Sequence, residues 1–169
     1  MSMAPIPKMG TIHIGIDPGR NTGFAVWLKK IGQRAHFQEV CAMDFWKVIN
    51  RLEEFLHVIS KQWDMRLVVT IEASYLNKSI HASSMQHISG TPEQKLSRLL
   101  SVAQDVGSMK RETTLLIAWL ADNGIQTIEV RPSKTSNTKM TAARFNQLTG
   151  WKAKSNVHGR DAAMLVWGK

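Results

Sequence analysis

Three acids and one histidine stand where their spacing could do chemistry. Asp17 closes the run Thr11 to Asp17, in which Ile12, Ile14 and Ile16 alternate as in a strand, and the turn-rich Pro18-Gly19-Arg20-Asn21-Thr22-Gly23 follows it. Glu72 closes a second run, Arg66-Leu67-Val68-Val69-Thr70-Ile71-Glu72, with the near-continuous apolar character of a buried parallel strand. His158 and Asp161 are three residues apart, so they share one face of a helix start, ahead of the apolar stretch Ala162 to Trp167. Each alone has a simpler reading: a turn acid, a helix-terminal acid favoured by the dipole, a surface histidine. Two acids closing two apolar strands are harder to dismiss, because open sheets build sites at strand ends and a carboxylate beside buried surface carries a desolvation cost.

Gathered together, such groups have a definite use. Crowded carboxylates raise one another's pKa unless a cation neutralises them. Oxygen donors with a single imidazole suit Mg²⁺ or Mn²⁺ and argue against zinc. Two such ions about 4 Å apart can activate a water and stabilise the leaving oxygen of a phosphodiester. The expected site is therefore Asp17, Glu72, Asp161 and His158, with Mg²⁺ or Mn²⁺, two ions per site.

The charge balance agrees with a polyanionic substrate. The 169 residues carry 22 Lys+Arg against 13 Asp+Glu, a net +9. Between Arg131 and Arg160 lie Arg131, Lys134, Lys139, Arg144, Lys152, Lys154 and Arg160, with no acid among them. Surfaces usually mix signs, so this stretch is expected to form a phosphate-contacting face. A hydrophobic content of 43% argues for an ordinary globular chain rather than disorder. The lone Cys41 excludes an internal disulfide and a Cys-rich zinc site, and fits a reducing compartment. No apolar run approaches the roughly 18 residues that span a bilayer, and Met1 to Gly10 has no signal-peptide core, so a cytoplasmic protein with no membrane partner is expected.

The elements that must position the site follow from periodicity. Strands are expected over Thr11–Asp17, Gly23–Lys30 and Ala35–Cys41, an antiparallel meander. Asp44 caps a helix with Phe45, Val48, Ile49, Leu52, Phe55, Leu56 and Ile59 at helical spacing. After the strand Arg66–Glu72, the polar stretch Ala73 to Gly90 reads as a long loop whose His81 and His87 have no ligand partners at spacing. Thr91-Pro92-Glu93-Gln94 opens a helix that Gly107 could kink and Asn123-Gly124 ends. A strand at Ile125–Val130, a helix from Thr138 to Leu148 and a last helix from Gly159 to Trp167 complete the order. The expected architecture is α/β: a mixed five-stranded sheet flanked by helices, with residues 1–10 a flexible lead and 11–169 one domain.

Taken together, these motifs resemble a known family. Gly15-Ile16-Asp17-Pro18-Gly19-Arg20-Asn21-Thr22-Gly23, then Ile71-Glu72, then His158-x-x-Asp161-Ala162-Ala163 are similar, in order, to the motifs of the RuvC-type Holliday junction resolvases. The resemblance spans almost the whole chain and implies a ribonuclease H-like fold. It implies that Asp17, Glu72 and Asp161 are carboxylate ligands of the metal and His158 a fourth member, a place filled by aspartate in some relatives. It further implies that Tyr75, the only tyrosine, stacks on bases at the junction centre, with Lys78 near it. The simpler alternative is a tyrosine folded back onto the core. Lys134 and Lys139 fall where the family keeps basic residues near the scissile phosphate. The segment Lys78 to Gly90 is longer than in typical relatives.

The function so implied is a Mg²⁺-dependent endonuclease of DNA recombination and repair that resolves four-way junctions, leaving 5′-phosphate and 3′-hydroxyl ends. Two symmetric strands to cut call for a homodimer, with the apolar face of the helix Thr91 to Asn123 as its interface. The alternatives are a nuclease of the same fold acting on other branched, flap or RNA-containing substrates, and a junction-binding protein without catalysis. An actin-like or sugar-kinase ATPase shares the first loop but needs two lobes, which 169 residues do not supply.

Overall fold

The computed structural model describes residues 10–61, 65–76, 90–132 and 139–169, the side chains of residues 60 and 61 excepted. The alternation that begins the chain produces β1 (Gly10–Asp17), β2 (Thr22–Lys30) and β3 (His36–Met43), paired antiparallel in that order. Helix α1 (Phe45–Lys61) follows, capped by Asp44, whose Oδ1 accepts from the Lys47 amide at 3.0 Å. Strand β4 (Met65–Glu72) then lies parallel to β1, with Ile16 opposite Ile71. A 3₁₀ turn (Ser74–Leu76) precedes α2 (Pro92–Asp122), and β5 (Gln126–Val130) lies parallel to β4. Helices α3 (Ala142–Thr149) and α4 (Val157–Val166) close the order. The sheet runs β3-β2-β1-β4-β5, the mixed five-stranded sheet flanked by helices that the sequence leads one to expect.

Period two divides the sheet into two faces. Ile12, Ile14, Ile16, Leu67, Val69 and Ile71 pack with Val48, Ile49 and Leu52 of α1 and Leu116 and Leu120 of α2. On the other side Ala25, Trp27 and Val40 meet Phe145 of α3 and Ala162, Ala163 and Val166 of α4. Each large apolar side chain removed from water this way contributes about 1.5–3 kcal/mol before entropy is counted.

Several expectations need correction. Gly10 does not belong to a flexible lead: it is buried and pairs with both Lys30 and Met65. Helix α3 starts at Ala142 rather than Thr138, because Thr141 accepts from the Arg144 amide and caps it. Helix α4 starts two residues before Gly159, because Asn156 accepts from the Gly159 amide at 2.7 Å, and it ends at Val166. Helix α2 has the expected capping box at Thr91 and Gln94 but passes Gly107 without a break. Its 31 residues make a rod about 46 Å long at 1.5 Å per residue. Its first buried residue is Thr113, and Leu96, Leu100 and Val102 stand exposed. Among the described residues no helix is long and apolar enough to cross a membrane. The loop readings for His81 and His87 lie outside the described residues.

Candidate active site

Ile16 and Ile71 pair across β1 and β4 and both point into the core against α1 and α2. The next residue on each strand turns to the opposite face, so Asp17 and Glu72 end neighbouring parallel strands on the side that α4 covers. Two glycines set how closely α4 lies there. A Cβ at Gly15 would stand 2.0 Å from the Ala162 carbonyl oxygen, and one at Gly23 would stand 2.0 Å from that of His158. Only bare backbone at these strand positions lets the first turns of α4 settle beside Asp17. The sequence signal was there, a glycine breaking each strand's apolar pattern, but nothing local says which distant backbone approaches.

The result is a concentration of acid. His158 Nδ1 lies 3.7 Å from Asp17 Oδ2, an ion-pair separation rather than a hydrogen bond, with Asp17 largely buried and His158 half exposed. Burial, then the charge of Asp161, pushes Asp17 up to about 6, against a smaller pull downward from Lys139. Burial, then Asp17 and Asp161, pushes Glu72 up to about 7. Asp161 is also raised, by burial, while His158, Lys139 and Arg160 hold it back. Acids from β1, β4 and α4 therefore feel one another, and a nearby ammonium feels two of them. Perturbed acids grouped in this way are a mark of functional sites.

The donor chemistry fits a hard divalent cation: carboxylate oxygens dominate, and a single imidazole joins them. Coordination is not closed. Among the described residues no three His, Cys, Asp or Glu side chains converge on one point as an ion would require. The fit is therefore one of donor type and backbone position, with side-chain torsions left to close it.

The basic residues divide. Lys139, Arg131, Arg144, Lys152 and Lys154 are exposed as a phosphate-contacting face requires. Arg160 is a correction: it is buried, with Nε and Nη1 donating to the carbonyls of Met140 and Ser155, so it is not part of the exposed basic face. Counting charges along a sequence does not reveal which of them fold inward. Lys78 and Lys134 lie outside the described residues. Tyr75 is half-buried on the turn after β4 and does not enter the core. Its hydroxyl donates to Glu129 on β5, which pairs with Ile71 and so lies on the face opposite Glu72. Burial and the Glu129 carboxylate push the phenol up to about 12. Cys41 donates to Glu39, and burial pushes its thiol up to about 12, so it is no nucleophile at neutral pH.

No family model and no curated protein matches the chain. Among solved structures the chain is similar to Thermus thermophilus RuvC in complex with a Holliday junction substrate, at 16% identity and TM-score 0.46, over 91% of this chain and 89% of that one. It is also similar to a second Thermus thermophilus RuvC structure, at 12% identity and TM-score 0.40, over 91% of this chain and 90% of that one. At these values neither likeness says what this chain binds or cuts.

Proposed function

We propose that this protein is a divalent-metal-dependent endonuclease that cuts branched DNA, with the four-way junction as its substrate. The observation that carries the reading is the gathering of acids from three separate elements, in which Asp161 raises Asp17 and both raise Glu72, while the exposed Lys139 acts on Asp17 and Asp161. The order of motifs from Gly15 to Ala163 supports the same reading from the sequence side. Asp17, Glu72 and Asp161 would hold Mg²⁺ or Mn²⁺, two ions in all, with His158 as the fourth member. Bound there, the metal supplies Lewis acidity and a water of lowered pKa.

The protein's own groups do the rest. Lys139 and the exposed Arg131, Arg144, Lys152 and Lys154 attract and orient the phosphodiester backbone. Glu72, pushed up to about 7, is placed to hold or release a proton near neutral pH. A homodimer would present two such centres to the two symmetric strands. The unburied half of α2, with Leu96, Leu100 and Val102 exposed, supplies apolar surface for that contact. Leu100→Glu is expected to convert a dimer to a monomer in sedimentation, and an unchanged dimer would place the contact elsewhere.

The test is a side-by-side cleavage assay on four-way junction, flap, RNA–DNA hybrid and linear duplex with Mg²⁺ or Mn²⁺. Nicking of the junction in preference to the others supports the reading, and equal or greater activity on flap or hybrid moves the substrate to those. The unclosed donor set favours one further reading, a junction-binding protein without catalysis. Tight junction binding with no product from any substrate in either metal would establish it.

A further inference from the structure

A buried guanidinium is costly unless its donors are met, and the usual partner is a carboxylate. Arg160 has only 7% of its surface exposed, and among the described residues no acid forms an ion pair with it. Neutral oxygens meet its Nε and Nη1 donors instead. Nε donates to the Met140 carbonyl at 2.8 Å, and Nη1 donates to the Ser155 carbonyl at 2.7 Å and to Ser155 Oγ at 3.3 Å. These acceptors lie in two different segments. Met140 sits between Lys139 and Thr141, the residue that caps α3, and Ser155 directly precedes Asn156, which caps α4. One side chain therefore fastens the strand-to-helix connection at Lys139 to the helix that carries His158 and Asp161.

The consequence falls on Lys139. It is exposed, no side-chain bond is described for it, and yet its charge reaches both Asp17 and Asp161. A long, solvated lysine keeps such a place only if its backbone is held. We infer that Arg160 is a positioning residue for the proposed nuclease: by tying the Met140 carbonyl to α4, it keeps the Lys139 ammonium beside Asp17 and Asp161, where the phosphate to be cut would sit. The inference rests on the nuclease reading for its function, and on the three hydrogen bonds alone for its geometry. Arginine suits the task because its planar fork addresses two carbonyls at once, which the single ammonium of a lysine does not reproduce.

The experiment is a double-mutant cycle of Arg160→Gln and Lys139→Ala on junction cleavage, with hydrogen exchange of residues 139–141 measured on the same uncomplexed proteins. Arg160→Gln is expected to lower kcat about 10- to 100-fold, the cost of misplacing a group by about 1 Å, with KM little changed. In the Lys139→Ala background the same change should cost less than about threefold, because the group it positions is already gone. Exchange at residues 139–141 should quicken in Arg160→Gln. Should Arg160→Gln melt below the assay temperature, Arg160→Lys carries the same cycle with a smaller loss, since one bond and the charge are kept. Effects that multiply independently, or unaltered exchange, overturn the inference. If the wild-type protein cuts no substrate, the nuclease reading fails by itself, and the exchange rates still decide whether Arg160 holds the segment.

Discussion

Asp17→Asn should make the metal-free protein more stable above neutral pH while abolishing cleavage. Asp17 titrates near 6 in the folded protein instead of near 3.8, chiefly because burial disfavours its charge and Asp161 repels it. A raised carboxyl favours folding most below its ordinary pKa, and that advantage is lost as the pH rises through the folded value. At pH 8 the ionised Asp17 therefore burdens the fold by the difference between the two values, at about 1.36 kcal/mol per pH unit, or about 3 kcal/mol at most. Some solvation of a side chain that is 16% exposed reduces this to about 2–3 kcal/mol. Glu72, raised to about 7, acts in the same direction, so the wild-type protein should lose stability between pH 5 and pH 8. The assay is thermal or urea unfolding in chelator from pH 4 to pH 8. Asp17→Asn should melt higher at pH 8 by about 5–10 °C for a chain of this size, and the advantage should vanish near pH 4. Adding Mg²⁺ should raise the wild-type midpoint and leave that of Asp17→Asn nearly unmoved, by linkage. A variant no more stable than wild type at pH 8, with a wild-type profile flat from pH 5 to pH 8, would refute the crowded-acid argument.

Other outcomes follow from the same geometry. Gly15→Ala should destabilise the protein by about 1–3 kcal/mol or more and remove cleavage, since its Cβ would meet the Ala162 carbonyl at 2.0 Å and displace α4; unfolding curves and activity measured together check it, and a neutral change would show that α4 is free to move. Junction affinity should fall steeply with salt, with a log–log slope of about −0.9 per phosphate neutralised, and Lys152→Ala with Lys154→Ala should make the slope shallower by about two contacts. Arg160→Gln should leave that slope unchanged. Tyr75 should ionise near 12 in a difference-absorbance titration, and Glu129→Gln should bring it down towards the ordinary tyrosine range; an unshifted wild-type phenol would mean that the Glu129 contact does not form.

Much of the scaffold is written in local pattern. The alternation of Ile12, Ile14 and Ile16 specifies β1, the turn residues after Asp17 specify its end, and Thr91 with Gln94 specifies the start of α2. Asp17 and Glu72 are legible because an acid terminating an apolar strand breaks the pattern on that strand. What is not legible depends on contacts between distant segments. Gly15 and Gly23 look like ordinary strand irregularities until α4 is laid across them. Arg160 counts as one more positive charge until its guanidinium is found between Met140 and Ser155. Tyr75 has no local feature to say that Glu129, 54 residues later, takes its hydroxyl. The early start of α4 escapes for a milder reason: Gly159 looks like a helix boundary, whereas the cap is Asn156 three residues before it.

The proposed chemistry requires Asp17, Glu72 and Asp161 to share a divalent cation. Anomalous diffraction from crystals soaked in Mn²⁺ tests this most directly. The expected result is a peak coordinated by carboxylate oxygens of all three residues, lost in Asp17→Asn. A map with no peak at the ends of β1 and β4, at Mn²⁺ concentrations that support cleavage, would contradict it.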